Sequence, residues 1–124
     1  MQSSELIIVR ETVGAAAVLH IFDTIDATNE REFAGELERV VGRPCIIVEL
    51  SRCRSIDRSG LDVLARMFRL CGKRLRVVAP FHEAALPGPS IAQSYGFLPL
   101  FDTLEAALRV SLDGRIAWSG RSTN

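Results

Sequence analysis

The residues best suited to chemistry stand together in the segment 57–60, which reads Asp-Arg-Ser-Gly. An acid, a cation and a hydroxyl are adjacent there, and a glycine follows them. The segment comes after an almost unbroken apolar run, Cys45–Leu50, and just before a helical stripe that starts at Leu61. This spacing predicts a buried strand, a polar loop and a helix that begins at about Ser59. Because ligands and partners of open α/β sheets meet the loops at the carboxyl ends of strands, we look for function at this junction.

The hydroxyl of Ser59 has two interpretations. As an N-cap it would accept a backbone N–H bond from the first turn, with Asp62 three residues on, and stabilise the helix by about 1 kcal/mol. As a phosphorylation site it would carry a charge of about −1.5 to −2 where free N–H groups and the helix dipole favour an anion. Physical chemistry alone favours the cap.

The neighbours of Ser59 have structural interpretations as well. Asp57 could close an Asx turn, and Gly60 could allow close approach of another segment. Asp26, after the second predicted strand, is a turn or cap residue on the same reasoning. The arginines at positions 52, 54 and 58 are either a solvated basic rim or partners for a phosphate or an acidic surface.

Composition limits the classes of function. The chain has 124 residues, 48% of them hydrophobic and 24% charged, with a formal net charge of zero. These values are typical of one globular domain and lack the basic excess of nucleic-acid-binding proteins. No apolar run approaches the roughly 20 residues that span a bilayer, and Met1–Glu5 lacks the features of a signal peptide. We therefore expect a cytoplasmic protein without nucleic-acid binding or membrane insertion.

Signatures of enzymes and metal sites are missing from the sequence. It contains no glycine-rich phosphate loop, no H-E-x-x-H and no G-x-S-x-G. His20 and His82 have no ligand spacing, and the odd number of cysteines without a C-x-x-C pair predicts reduced thiols. Cys45 and Cys71 are expected in the core, whereas Cys53 in the polar loop is the only candidate for redox chemistry. We expect no catalytic residue, no metal and no cofactor.

Hydrophobic periods and breaker residues predict the remaining elements. In order these are a strand Leu6–Val9, a strand Ala15–Phe22, a helix capped by Asn29 and ending at about Val41, the strand Cys45–Leu50, a helix from about Ser59 to Cys71, a strand Leu75–Ala79, a short helix Ser90–Tyr95 after the break at Pro87–Pro89, an edge strand Leu98–Phe101 and a helix capped by Asp102. The alternation of strands and helices predicts an α/β fold whose mostly parallel sheet begins with an antiparallel hairpin. We expect one domain over residues 1–114 and a polar tail over 115–124.

Five pieces of the sequence, in order, resemble the STAS family of anti-sigma-factor antagonists and sulphate-transporter cytoplasmic domains. Thr24–Ala27 resembles G-x-[IL]-D-A, Ile46–Ser51 resembles V-V-x-D-L-S, and Ser55–Leu61 resembles I-D-S-[ST]-G-L. Tyr95–Phe97 resembles T-G-L, and Leu100–Ala107 follows the closing I-F-x-S-x-E-E-A-L. The order and spacing of the pieces, which cover roughly Leu6 to Leu112, carry the resemblance.

The resemblance implies a sheet of four to five strands with helices packed on one main face, and no catalysis. In the antagonists, a partner kinase of the histidine-kinase-like ATPase fold phosphorylates the residue before the signature glycine. Ser59 matches that acceptor, and Asp26 and Asp57 match the acidic positions beside it. The chain departs from the family pattern where Arg58 replaces a small residue, Asp23 replaces a frequent glycine and Glu49 replaces the strand aspartate.

The leading hypothesis is therefore an anti-sigma-factor antagonist that binds an anti-sigma kinase and is switched by phosphorylation at Ser59. The expected contact residues lie on the loop and the helix after it: Arg54, Ile56, Arg58, Gly60, Leu61, Asp62 and Arg66. An alternative is a STAS subunit that docks without phosphorylation, in a signalling scaffold or a lipid-transport ABC complex. A third, weaker one is an enzyme or small-ligand binder that uses the same loop. A homodimer is left open.

Overall fold

The structure, a computed structural model, describes residues 6–79 and 98–109. Its elements are β1 (Ile7–Val13), β2 (Ala16–Ile25), α1 (Glu30–Arg39), β3 (Cys45–Glu49), β4 (Cys53–Ile56), α2 (Arg58–Cys71), a 3₁₀ turn (Gly72–Arg74), β5 (Leu75–Val78), β6 (Leu100–Phe101) and α3 (Leu104–Arg109). The predicted helix Ser90–Tyr95, the break at Pro87–Pro89, the piece Tyr95–Phe97, the domain boundary at 114 and the tail 115–124 lie outside the described residues.

The strands form a mixed sheet in the order β1-β2-β3-β5-β6. β1 and β2 are an antiparallel hairpin, and the β2–β3, β3–β5 and β5–β6 pairs are parallel. The predicted α/β fold with an N-terminal hairpin is confirmed. β6 is an end strand of the described sheet, in agreement with Pro99 just before it, because proline cannot donate a ladder hydrogen bond.

Two core clusters show which helices cover which face of the sheet. Leu19 of β2 and Val48 of β3 belong to the larger cluster with Phe33 of α1 and Leu64 of α2. The strand residues of opposite parity, such as Val18, Cys45 and Ile47, pack instead with Ala107 of α3. α1 and α2 thus cover one main face, as predicted, while α3 packs on the other.

The strand β4 was not predicted from the sequence, which indicated a loop throughout residues 51–60. The structure places β4 there, parallel to the last residues of β2. β2 extends beyond the residues that pair with β3. Its last residues pair with β4, with a register shift between Asp23 and Thr24. Asp23 has a φ of 74°, a left-handed conformation that aspartate tolerates better than most residues and that explains the frequent glycine of the family.

The start of α3 corrects a second prediction. The backbone N–H of Ala106 donates to Thr103 Oγ1 at 3.1 Å, so Thr103 and not Asp102 caps this helix. The helix begins one residue later than the spacing from Asp102 to Glu105 predicts. A threonine hydroxyl can accept a hydrogen bond from a first-turn N–H, as an aspartate carboxylate can.

Candidate functional site

The loops that follow β2 and β4 lie side by side at the carboxyl edge of the parallel strands. The backbone N–H of Asp57 donates to the carbonyl of Ile25 at 3.1 Å, and the hydroxyls of Ser55 and Thr24 are 3.4 Å apart. These bonds join the two pieces of sequence that carry Asp26 and Ser59, which are more than 30 positions apart in the chain. The parallel pairing of β2 with β4 therefore builds the candidate site.

The N-cap of α2 is Asp57, which corrects the prediction for Ser59. Asp57 has an extended backbone (φ −95°, ψ −174°), and its Oδ1 accepts the N–H of Gly60 at 3.2 Å. The helix begins at Arg58, one residue earlier than predicted, because the bond between Asp57 and Ile25 already holds the N-cap in place. Asp57 thus performs the role that the sequence pattern assigned to the serine.

Ser59 is the second residue of α2 and is partly buried. Its hydroxyl makes no hydrogen bond within residues 6–79 and 98–109, so the described fold does not use it. The first turn of α2 contains no acidic residue; the nearest carboxylates of the helix are the N-cap Asp57 and Asp62, three residues after Ser59. The amino end of α2 therefore presents a hydroxyl beside a positive dipole end that no first-turn carboxylate neutralises.

Gly60 determines how closely α2 approaches the sheet. A Cβ at this position would lie 2.6 Å from Ile56 Cγ1 and 2.7 Å from Ile25 Cγ2. Both isoleucines are buried, at 2% and 0% exposure. Close approach, the proposed use of this glycine, is therefore confirmed, and it seats the first turn of α2 directly on the ends of β2 and β4.

The arginines at positions 52, 54 and 58 lie before β4, in β4 and at the start of α2, and they have different environments. The guanidinium of Arg52 lies over the ring of Phe22, with Cζ 5.6 Å from the centroid. Arg54 Nη1 is 3.9 Å from Asp23 Oδ1, an exposed and weak ion pair. Arg58 is exposed and has no ion pair or side-chain hydrogen bond in the part of the chain that the structure describes. The Arg58 guanidinium, adjacent to Ser59, thus has no charged or hydrogen-bonding partner among the described residues.

Asp26 closes a tight turn before α1. Its Oδ1 accepts the backbone N–H of Thr28 at 2.9 Å and the Thr28 hydroxyl at 2.5 Å. The hydrogen bond from the Thr28 side chain is the main reason that the pKa of Asp26 lies below its ordinary value. Asp26 is therefore ionised at neutral pH, in the turn role that the sequence predicted.

Asn29 stabilises this turn from the inside, a role that the sequence did not reveal. It is 2% exposed; its Oδ1 accepts the N–H of Asp26 and its Nδ2 donates to the carbonyl of Thr24, both at 2.9 Å. Asn29 does precede α1 as predicted, but its side chain makes no cap hydrogen bond. The amide bonds to the turn instead and therefore does not cap α1, which corrects the predicted cap.

The expected contact residues form two groups, an exposed surface and a buried layer beneath it that we call the floor. Arg54, Arg58, Asp62 and Arg66 are exposed, whereas Ile56 and Leu61 are only 2% and 3% exposed. Ile56 and Leu61, with the buried Gly60, form the floor that holds the surface in place. Their side chains belong to the core, and which residues contact a partner stays a prediction.

The three cysteines and His20 lie outside this site. All three cysteines are free and buried, as predicted for Cys45 and Cys71. Cys53 points inward from β4, and burial is the main cause that raises its pKa to about 11, so its thiol is not an exposed redox group. His20 Nε2 lies 2.7 Å from Glu11 Oε1.

Neither a metal-ligand cluster nor a membrane-spanning helix is present among the described residues. Among the described residues, no three His, Cys, Asp or Glu side chains converge in a way that could hold a metal ion. In the same residues no helix has both the length and the apolar character needed to cross a bilayer.

Comparison with known proteins gives the family. The model of the STAS domain matches residues 7–79, more than half of the chain, while no curated protein matches significantly. Solved structures share the fold. An anti-sigma factor antagonist from Mycobacterium paratuberculosis has a TM-score of 0.73 and 23% identity, over 86% of this chain and 96% of that one.

Two further structures are similar. The anti-sigma factor antagonist SpoIIAA in its unphosphorylated form has a TM-score of 0.60 and 16% identity, over 82% of this chain and 94% of that one. RsbS from Moorella thermoacetica, carrying a serine-to-glutamate substitution, has a TM-score of 0.56 and 19% identity, over 85% and 92% of the two chains. With its signature loop between β4 and α2 and its mixed sheet, the chain belongs to the STAS domain family.

Proposed function

We propose that this protein is an anti-sigma-factor antagonist that binds an anti-sigma kinase of the histidine-kinase-like ATPase fold and is switched by phosphorylation of Ser59. The observation that carries the proposal is the position of the Ser59 hydroxyl, partly accessible in the first turn of α2 and without a structural hydrogen bond in the described residues. The protein would act in the cytoplasm by binding, with the chemistry supplied by its partner.

The amino end of α2 suits a phosphate for electrostatic reasons. A phosphoserine carries about −1.5 to −2 charges and three acceptor oxygens, and the first N–H groups of a helix attract such an anion. Asp57 takes the N–H of Gly60, so the cap survives modification of the serine next to it. The exposed and uncommitted Arg58 adds a cation one residue away.

The floor under Ser59 explains why modification would change the surface and not the fold. Gly60 rests against Ile25 and Ile56, and Leu61 is buried, so the first turn is held by packing that does not involve the hydroxyl. A phosphate would reverse the local charge near Arg58, Asp62 and Arg66. A partner that fits the neutral serine would then meet a dianion, whose desolvation opposes binding.

The comparisons support this proposal in general terms. Two of the structural neighbours are described as anti-sigma factor antagonists, and one of these is described in its unphosphorylated form. The chain covers almost the whole length of both. Ser59 matches the acceptor position that the sequence resemblance implies.

The direct test is a phosphorylation assay with the cognate kinase and ATP. We expect the mass of one phosphoryl group on the wild type and none on Ser59→Ala. The matched control is Ser51→Ala, an exposed serine between β3 and β4 whose hydroxyl donates to Glu49 Oε2 at 2.8 Å. Transfer to Ser59→Ala, or loss of transfer in Ser51→Ala alone, would contradict the assignment.

A binding assay separates the switch from the docking alternative. If Ser59 is the switch, Ser59→Glu should weaken kinase binding while Ser51→Glu leaves it intact. Binding that never depends on the residue at position 59, together with capture of a transporter ATPase, would favour a STAS subunit that docks without phosphorylation. Turnover of a small molecule by the protein alone would support the enzyme alternative.

A further inference from the structure

A groove lies between α1 and α2. Its volume is about 290 Å³, and its walls are Ala34 and Glu38 of α1 and Val63, Arg66, Met67 and Leu70 of α2. Leu70 is 69% exposed, and it is the only large apolar side chain that is exposed on a described helix. The groove therefore combines a mostly apolar lining with an apolar side chain at its rim, where a protein surface is normally polar.

Ser59 lies on the same side of α2 as the groove. Val63, Arg66 and Leu70 follow Ser59 by four, seven and eleven residues, a spacing that places side chains along one stripe of a helix. With a rise of about 1.5 Å per residue, the stripe from Ser59 to Leu70 is about 16 Å long, or roughly three helical turns. The groove thus continues the surface that carries the proposed phosphorylation site.

The two charged side chains of the groove have opposite signs and are not used by the described fold. Glu38 and Arg66 are exposed, and neither forms an ion pair or a side-chain hydrogen bond within residues 6–79 and 98–109. Glu36, by contrast, pairs with Arg10, whose Nε lies 3.8 Å from Glu36 Oε1. The groove therefore offers an acid on one wall and a base on the other, both available to a binding partner.

These features favour a helix of another protein as the occupant. The volume is at the lower limit of small-molecule sites, about 300 Å³, whereas an amphipathic helix binds such a groove by inserting a few apolar side chains. A second copy could offer only one apolar anchor from a described helix, Leu70 itself. The opposite charges of Glu38 and Arg66 match a helix with a basic residue on one flank and an acidic residue on the other.

We propose that the groove docks an amphipathic helix of the kinase that phosphorylates Ser59, with an acidic residue of that helix opposite Arg66 and a basic one opposite Glu38. This inference rests on the proposed function, because it names a contact that the kinase makes beside the phosphorylation site. Arg66 lies about 10 Å along α2 from Ser59, which is close to one Debye length. A phosphate on Ser59 would therefore repel the acidic residue of the docked helix and weaken binding.

The first test is the affinity of the full chain for that kinase, measured by calorimetry with a non-hydrolysable ATP analogue. Leu70→Glu should raise the dissociation constant by at least about 10-fold, because it places a charge against the apolar side of the docked helix. Ile7→Glu, a similar change at a 52% exposed residue of β1, should leave the dissociation constant unchanged. Wild-type affinity in Leu70→Glu, or an equal loss in Ile7→Glu, would overturn the proposal.

The second test concerns the charges, at exposed positions where substitution leaves the core intact. Arg66→Glu should raise the dissociation constant by about 10-fold, whereas Arg69→Glu, the same change on α2 outside the groove, should raise it by less than about 2-fold. The double variant Glu38→Arg/Arg66→Glu exchanges the charges at constant net charge and should bind more weakly than either single variant. Wild-type affinity of the double variant would show that only net charge matters and would overturn the proposal.

A photo-crosslinker on Leu70→Cys identifies the occupant, since the three native cysteines are buried. Crosslinks to a helix of the kinase would support the proposal; crosslinks only to this chain, within one copy or between two, would overturn it. Leu70→Glu should also raise the KM of Ser59 phosphorylation far more than it lowers kcat. A wild-type KM in this variant would refute the groove alone, whereas a wild type that neither binds the kinase nor accepts phosphate would refute the proposed function and the groove together.

Discussion

Two helices, α1 and α2, begin at the same edge of the sheet, and their amino ends are built differently. The first turn of α1 contains Glu30 and Glu32, and the turn before it is filled by the buried Asn29. The first turn of α2 contains no acidic residue, and its Ser59 hydroxyl has no partner in the described structure. Since negative side chains neutralise the positive end of a helix, α1 is already compensated, whereas α2 relies on the N-cap Asp57 alone.

The difference shows where the molecule has room for a new charge. An anion added beside α1 would meet two glutamates and the ionised Asp26. An anion added at Ser59 would meet the first N–H groups of α2 and Arg58, with Asp57 and Asp62 as the nearest carboxylates of this helix. The amino end of α1, together with the hydrogen-bonded turn Asp26–Asn29, is thus a structural joint. The amino end of α2 is a candidate phosphorylation switch, although each helix follows a β-strand. Four comparisons of variants test this contrast, in order of decreasing expected effect.

The largest effect is expected from Gly60→Ala. Its Cβ would overlap Ile56 and Ile25 at 2.6 and 2.7 Å, so the first turn of α2 must shift and the free energy of unfolding should fall by about 1–3 kcal/mol. Urea denaturation measures this loss. Gly35→Ala in α1 is the matched control, because no atom lies within 4 Å of its added Cβ, and helix propensity predicts a gain of up to about 1 kcal/mol. Equal effects of the two substitutions would remove the argument for close packing under Ser59.

Asn29→Ala tests the joint before α1. It removes the partner of both the Asp26 N–H and the Thr24 carbonyl in a site that is 2% exposed, and should lower the free energy of unfolding by about 1–3 kcal/mol. Thermal or urea unfolding measures the change. Arg31→Ala, an exposed position two residues further on, should change stability by less than about 0.5 kcal/mol. If both variants behave alike, the Asn29 amide does not stabilise the joint.

The third comparison separates the cap of α2 from the proposed switch. Asp57→Ala should lower the free energy of unfolding by about 1 kcal/mol, because the N–H of Gly60 loses its acceptor. Ser59→Ala should change it by less than about 0.5 kcal/mol, since the described fold does not use that hydroxyl. In a kinase assay the effect of Ser59→Ala should be complete. A larger loss of stability in Ser59→Ala than in Asp57→Ala would return the cap to the serine.

The smallest effect concerns the pH dependence of the α1 joint. The folded-state pKa of Asp26 is lowered chiefly by the Thr28 hydroxyl, so the ionised carboxylate stabilises the fold above its ordinary pKa, and this contribution is lost as the pH falls through the folded pKa. Thr28→Val should reduce stability at neutral pH by about 0.5 kcal/mol or less, because solvent screens the site, and should flatten the decline between about pH 5 and pH 2. Thr28→Ser keeps the hydroxyl and should retain the wild-type curve. Unfolding at several pH values measures both; a Thr28→Val curve that matches the wild type would contradict the role of this bond.

The sequence by itself determined the elements whose signals are local. The apolar run of β3, the helical stripe of α2 and the glycines at 42 and 72 placed strand, helix and breaks within a few residues, because period and backbone restriction act over short distances. The same local pattern found Ser59, Asp57 and Gly60 and gave the STAS resemblance, which the family match over residues 7–79 confirms.

Only the tertiary structure decided what depends on partners far apart in the chain. β4 is a strand because β2 extends beside it, and four residues with one exposed arginine carry no readable alternation. Asp57 caps α2 instead of the predicted Ser59, because the carbonyl of Ile25, 32 positions earlier, fixes the N-cap backbone. Long-range pairing therefore leaves the Ser59 hydroxyl without a structural hydrogen bond in the described residues. The proposed switch depends on this hydroxyl, and no local pattern contains that information.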